Sequence, residues 1–223
     1  MWDDFPISSC HEASFRQLYA CVLAGNERLN LTRITAREDF WEKHLWDSLW
    51  GIKPYWNAVA LRVIDIGSGA GFPGLPIAIV QPQWHVTLVE SRHKKAAFLA
   101  ETVEALGLPN VRVVYNRAEL LHQERSFRRA YDFVTLRAVA DCKTCLRYAL
   151  PFLAPQGIAA LYRGKWTEDE ATELTQLLQG GAWTLVGAIA TKTPITGGIR
   201  HCYYLSNSVS TSGSKTTEKL EGS

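Results

Sequence analysis

Seven short apolar runs follow one another through most of this chain, and they limit the folds open to it. They cover residues 61–66, 85–90, 111–115, 131–136, 158–162, 185–190 and 202–205. The first five are separated by stretches long enough for crossover helices, and near-continuous apolar runs suit strands covered on both faces. The pattern predicts an α/β fold built on a doubly wound, mostly parallel sheet. The last two runs are joined by a turn around Gly197-Gly198 with no helix between them, which predicts a C-terminal antiparallel hairpin at one sheet edge.

The segment before the first run reads as helical. Ser9 and Glu12 have capping-box spacing, and Phe15, Leu18, Val22 and Leu23 recur at helical intervals up to Gly25, a residue able to end a helix. Thr35 and Glu38 repeat the capping pattern ahead of a second helix over 40–49, with Pro54 beyond it. A further helix is expected over 92–106, N-capped by Ser91, with Phe98, Leu99, Thr102, Val103 and Leu106 as its buried stripe and Gly107 as its stop. The chain therefore divides into an N-terminal helical cap (1–56), a sheet domain (57–205) and a tail (206–223). The tail is rich in Ser, Thr, Gly and Lys, has no apolar period, and is expected to be disordered.

Composition excludes several classes. Among 223 residues, 47% hydrophobic and 21% charged is ordinary globular usage,. No stretch reaches 18 consecutive apolar residues, so no transmembrane helix is expected. Met1-Trp2-Asp3-Asp4 lacks the basic and apolar regions of a secretory signal. Five cysteines, an odd number, fit a reducing, cytoplasmic setting better than a disulfide scaffold,. A net charge of +2 does not by itself point to nucleic acid or membrane,. The charge is uneven, however: residues 91–129 hold eight basic and four acidic side chains, and Arg163-Gly164-Lys165 adds a basic pair. Such patches suit RNA phosphates.

The chemistry concentrates in Val63-Ile64-Asp65-Ile66-Gly67-Ser68-Gly69-Ala70-Gly71-Phe72-Pro73-Gly74. A buried strand runs into a glycine-rich turn that opens a helix, the arrangement that brings a nucleotide or nucleoside against the backbone. Gly69 stands where a Cβ would keep the ligand away. The spacing departs from G-x-G-x-x-G, with Phe72 in place of the third glycine. Asp65, just before the loop, would repel a pyrophosphate but could accept bonds from a cationic amino-acid group. This favours S-adenosylmethionine over a dinucleotide. Glu90 ends the second strand 23 residues after Gly67, where a carboxylate can accept both ribose hydroxyl protons,.

A more specific resemblance rests on several motifs in order. These are Asn30-Leu31-Thr32, Lys43-His44-x-x-Asp47-Ser48-Leu49, the loop Asp65 to Pro76, Glu90-Ser91-x-x-Lys94-Lys95-x-x-Phe98-Leu99, Arg117-Ala118-Glu119 and Arg137-Ala138. Together, over about residues 26 to 205, the chain resembles the 16S ribosomal RNA guanine-N7 methyltransferase family (RsmG), also called glucose-inhibited division protein B. The resemblance implies a Rossmann-like methyltransferase sheet, S-adenosyl-L-methionine as cofactor, and 16S ribosomal RNA or a small-subunit particle as partner. It implies Gly67 and Phe72 in the loop around the methionine moiety, Glu90 at the ribose, Ala118-Glu119 beside the adenine, and Arg137 beside the site at the end of the fourth strand. A monomer with no membrane partner is expected. So is a reaction with no catalytic acid–base residue and no metal, because guanine N7 attacks through a free lone pair.

Lys43, His44 and Asp47 share one helix; Lys43 and Asp47 could pair at i, i+4, and His44 receives no catalytic role. Cys142-x-x-Cys145 has no second ligand pair for zinc, so it reads as two unrelated cysteines one turn apart. Three alternatives stand beside the main reading. One is a methyltransferase acting on a small molecule or a protein. Another is an RNA-binding module that keeps the cofactor pocket without turnover. The third, a nicotinamide-dependent dehydrogenase, is disfavoured by Phe72 and by the lack of a Tyr-x-x-x-Lys motif.

Overall fold

The computed structural model describes residues 5–164 and 166–207. Seven strands form one sheet: β1 (Arg62–Ile66), β2 (His85–Glu90), β3 (Val111–Tyr115), β4 (Tyr131–Arg137), β5 (Leu153–Arg163), β6 (Trp183–Lys192) and β7 (Ile199–Asn207). Their order is β3-β2-β1-β4-β5-β7-β6. The first five are mutually parallel, and β7 lies antiparallel between β5 and β6. The doubly wound sheet and its C-terminal hairpin are as the apolar runs require.

Helices cover both faces, because successive strand residues point to opposite sides. Val63, Leu88, Phe133, Ala160 and Tyr204 belong to one core, with α4 (Gly74–Val80) and α5 (His93–Ala105). Ile64, Val89, Val134, Leu161 and Leu205 belong to the other, with α6 (Ala118–Leu121), α7 (Cys142–Ala149) and α8 (Glu168–Gln179). The N-terminal helices share the first core. Leu18 and Val22 of α1 (Ser9–Leu29), Phe40 of α2 (Arg37–Phe40) and Leu49 of α3 (Asp47–Trp50) are buried there beside Leu75 and Phe98. The segment is continuous with the sheet's packing, and Leu18→Ala should cost about 2–5 kcal/mol.

Several local expectations shift. The capping box of α1 is Ser8 with His11, one residue before the Ser9–Glu12 pattern. Gly25 does not end α1. The helix continues to Leu29 and is closed by Asn30 at φ 47°, while Gly25 gives room to the Phe98 ring, which a Cβ would meet at 2.5 Å. The second helix starts after Ala36 without a side-chain cap. Arg92, not Ser91, is the N-cap of α5, and Gly107 follows its end at φ +60° as expected. Of the residues assigned to the tail, Ser206 and Asn207 are strand: Ser206 pairs with Ile158 and Thr184, and Asn207 with Trp183. Residues 208–223 lie outside the described residues, as does Lys165 of the basic pair.

Candidate active site

The parallel strands place their carboxyl ends along one edge, where ligands bind in open α/β sheets. The loop after β1 is tied down by its own backbone. Gly67 and Ser68 N–H both donate to Val89 O (2.9 and 3.1 Å), and Gly71 and Phe72 N–H donate to Ser68 O (2.7 and 3.1 Å). Gly69 sits at φ +59°, and a Cβ there would find nothing nearer than Gly67 O at 3.8 Å. Its missing side chain therefore faces open space. Gly71, at φ +98°, is instead pressed against Leu75 and Leu99.

Glu90 closes this loop. Its Oε2 accepts from Gly69 N–H (3.0 Å) and its Oε1 from Arg92 N–H (2.8 Å). A carboxylate offers about four acceptor positions, so about two are not used by these bonds. Asp65 behaves otherwise. It is 1% exposed, and it accepts from Thr135 Oγ1–H (2.8 Å) and Gly74 N–H (3.2 Å) beneath the loop. Burial pushes its carboxyl up to about 6, against the pull of those bonds. It supports the loop from below and does not present itself to a cationic ligand, contrary to the sequence reading.

Phe72 turns its ring to the N-terminal helices. The His44 imidazole stacks on it at 4.3 Å and 5°, Phe40 meets it edge-on at 5.5 Å, and the Arg137 guanidinium lies 5.9 Å from its centroid. Between α2 and α3 the chain makes a π-helical turn, Trp41–Trp46. Such turns are rare and concentrate at functional sites. Arg137 Nη2 donates to His44 Nδ1 and Nη1 to Asp47 Oδ2, both at 2.8 Å. Asp47 Oδ1 also meets Arg200 Nε at 3.2 Å. Lys43 pairs with Asp39 (2.7 Å) and leaves Asp47 to the two arginines, so the expected Lys43–Asp47 pair does not form. Burial, and then the Arg137 charge, lower the His44 pKa to about 3. Glu42, on the same turn, is fully buried. Its carboxylate accepts from Ile195 N–H (2.6 Å), Thr196 N–H (2.8 Å) and the Thr196 hydroxyl (2.7 Å).

The structure thus brings Gly67, Gly69, Phe72, Glu90 and Arg137 to one edge. Ala118 and Glu119 follow β3, whose end is tied to Glu90 through Asn116 N–H to Glu90 O (3.2 Å). The Glu119 carboxylate is taken by Arg117 (3.2 Å) and the Tyr148 hydroxyl (3.0 Å). The pair lines a cavity of about 500 Å³ with His122, Arg147, Tyr148, Leu150 and Pro151, which includes none of the glycine-loop residues. Sequence reasoning missed Arg200 and the roles of Thr32, His44 and Asp47. The i, i+3 spacing of His44 and Asp47 was the available signal, since it sets both side chains toward one side of a helix.

Cys142 and Cys145 are buried and free, both beside the Arg163 guanidinium, with Nη2 at 3.6 and 3.7 Å from the two sulfurs. Among the described residues no group of three or more His, Cys, Asp or Glu is placed to hold a metal ion. No helix among them is long and apolar enough to cross a membrane.

Comparison with known proteins identifies the family and the fold. The family model for rRNA small subunit methyltransferase G matches residues 11–191. The chain is 48% identical to the ribosomal RNA small subunit methyltransferase G of Gloeobacter violaceus, over 91% of this chain and 81% of that protein. It is 46% identical to the protein of the same name from Microcystis aeruginosa, over 87% and 89%. Solved structures share the fold. They include a putative O-methyltransferase from Klebsiella pneumoniae (TM-score 0.57, 16% identity, 85% of this chain and 90% of that one). Another is M. jannaschii TYW2 in complex with AdoMet (TM-score 0.52, 15% identity, 72% and 76%). A Rossmann-like sheet, a glycine-rich loop at its carboxyl edge, and relatives matched over 81% and 89% of their length lead to one assignment: the chain is a methyltransferase and belongs to the small-subunit ribosomal RNA methyltransferase G family.

Proposed function

We propose that this chain transfers a methyl group from S-adenosyl-L-methionine to N7 of a guanine in 16S ribosomal RNA. The observation that carries the cofactor reading is the pairing of Gly69 with Glu90. A backbone position open where a side chain would stand is tied by hydrogen bond to a carboxylate with acceptor positions to spare. Gly67, Gly69 and Phe72 shape the methionine end, Glu90 takes the ribose, and Ala118-Glu119 border the adenine. The cofactor, when bound, supplies an electrophilic methyl on a positively charged sulfur. The chain's own residues then have one task, to hold the acceptor base in line with that methyl. N7 has a free in-plane lone pair and no proton to lose, so no residue here is assigned as a general base. Orientation of this kind can contribute roughly 7–11 kcal/mol. Arg137, fixed at the edge of the crevice, is the residue we assign to the acceptor side.

The N7 edge lies in the major groove, which in A-form RNA is deep and narrow. The target guanine therefore belongs to a loop, a junction or an assembly intermediate. We keep residues 1–56 as a cap over the site and 57–205 as the domain that builds it, and we place the enzyme in the cytoplasm as a monomer. Five free thiols fit that compartment,.

The basic patch is revised by the fold. Arg125, Arg128 and Arg129 are exposed but precede β4, and Arg129 N–H bonds Pro151 O at the amino end of the sheet. They sit away from the crevice mouth. Arg92 and Lys94 after β2, and Arg117 after β3, are exposed at the carboxyl edge. We assign the phosphate contacts to these.

Nucleoside analysis of 16S RNA from cells lacking the protein should show loss of one 7-methylguanosine, restored with the gene. An unchanged profile rejects the reading. Gly69→Val puts a branched side chain into the open space at a positive φ. It should abolish cofactor binding by calorimetry while circular dichroism stays native, and unaltered affinity would remove the loop from the site.

A further inference from the structure

We propose that His44 is a positioning residue for methyl transfer: its Nδ1 and its ring face set Arg137 and Phe72 in a single arrangement at the carboxyl edge of the sheet. The inference rests on the methyltransferase reading of this site and adds the group that orders it.

The proton placement follows from the partners. A guanidinium has only donors, so His44 Nδ1, 2.8 Å from Arg137 Nη2, must be the acceptor. The ring proton is then on Nε2, 2.9 Å from Thr32 Oγ1. That oxygen also receives Ile34 N–H at 3.0 Å, which occupies both its acceptor positions,. Thr32 is pinned in turn to α1, its N–H donating to Asn26 Oδ1 at 2.9 Å. The chain of bonds runs from α1 through Thr32 and His44 to Arg137.

The ring face supplies the second constraint. Its parallel stack on Phe72 ties the glycine loop to the same imidazole that holds Arg137. Asp47 takes the other guanidinium nitrogen and shares its carboxylate with Arg200. Two of the five N–H groups of Arg137 are thereby used to fix its plane, and three are left for the acceptor RNA. A protonated His44 would turn a donor toward the guanidinium and break the arrangement. The charged groups facing it are Arg137 and, through Asp47, Arg200. Lys43 is tied to Asp39, and Glu42 to the β6–β7 turn.

The test compares His44→Asn with His44→Gln in the full chain, using small ribosomal subunits and S-adenosylmethionine. The Asn carbonyl can occupy the place of Nδ1 and keep the bond from Arg137, whereas Gln reaches toward Thr32 and loses it. Asn should stay within about ten-fold of wild-type kcat. Gln should fall at least a further ten-fold, as expected for loss of a bond to a charged group. Cofactor Kd and melting temperature should be similar in the two variants. Equal kcat in both, whether near wild type or equally reduced, overturns the proposal. Long-range ¹H–¹⁵N spectra of the wild type read the tautomer without any activity. An Nδ1–H ring or an imidazolium at neutral pH overturns the placement. A wild type with the Nε2–H ring that methylates no ribosomal RNA refutes the functional reading, and with it the role, while leaving the geometry intact.

Discussion

The two edges of the parallel sheet both carry arginines and use them differently. At the amino edge, Arg62 is bound to Asp132 by Nε (3.0 Å) and Nη2 (2.8 Å), Arg112 lies over the Phe127 ring at 4.8 Å, and Arg125, Arg128 and Arg129 are in solvent. At the carboxyl edge, Arg137 is only 15% exposed and has its plane set by an imidazole and a carboxylate from another part of the chain. The amino-edge contacts stay within the sheet domain. The carboxyl-edge contacts join the N-terminal helices to the strand ends. An arginine held in one orientation beside a crevice can act on a bound molecule, whereas one in a solvated pair contributes little.

Removing the ordered arginine should have the largest effect. Arg137→Ala should lower methylation more than a hundred-fold in single-turnover assays, with RNA retained in filter binding. Activity within a few-fold of wild type would erase the distinction between the edges. Next is the pH dependence of stability. The His44 pKa is lowered to about 3, so its contribution is present above the unfolded value near 6.5 and is lost as pH falls. By pH 4 the loss is on the order of 3 kcal/mol. Asp65, raised to about 6, works the other way and regains stability between pH 6 and 4. Asp132, lowered chiefly by its bond from Arg62, acts only below the ordinary carboxylate range. Melting curves of His44→Asn should therefore fall less than wild type between pH 6.5 and 4, while Asp132→Asn should follow wild type over that window. Glu90→Ala should weaken cofactor binding about ten-fold by calorimetry. An unchanged Kd would place the carboxylate outside the site. The smallest effects concern the surface cations. Replacing Arg92, Lys94 and Arg117 together should reduce the salt slope of RNA binding by roughly two. Replacing Arg125, Arg128 and Arg129 should leave it unaltered, and a fall there would show that RNA reaches the amino edge.

The sheet was legible because its strands are buried on both faces and read as unbroken apolar runs. Its irregularities were not. β5 begins at Leu153, ahead of the expected 158, because Ala154-Pro155-Gln156-Gly157 reads as a turn and forms a bulge opposite Tyr131 and Phe133, with Gln156 at φ 67°. The glycine loop and Glu90 were also visible, since local geometry demands glycine and a strand-end acid. The partners of Arg137 were hidden because they lie 90 and 93 residues away in the chain. Asp65 misled for the opposite reason. Its position beside the loop is plain in the sequence, but the direction of its side chain depends on Thr135 in a neighbouring strand. The basic segment 91–129 looked like one patch because strand ends alternate between the two edges along the chain, and only the fold separates them.

The buried carboxylate of Glu42 has a consequence for how the chain is made. Its hydrogen-bond donors are residues 153 and 154 positions later. At a synthesis rate of roughly 5–20 residues per second, the N-terminal helices wait about 8–30 s for the hairpin that satisfies them. Until then the Glu42 carboxylate lacks these three donors. The buried setting of this early turn is thus completed by one of the last segments synthesised. A chain arrested before β6 should show rapid amide exchange at Trp41–Trp46, and exchange should slow only once Thr196 has emerged.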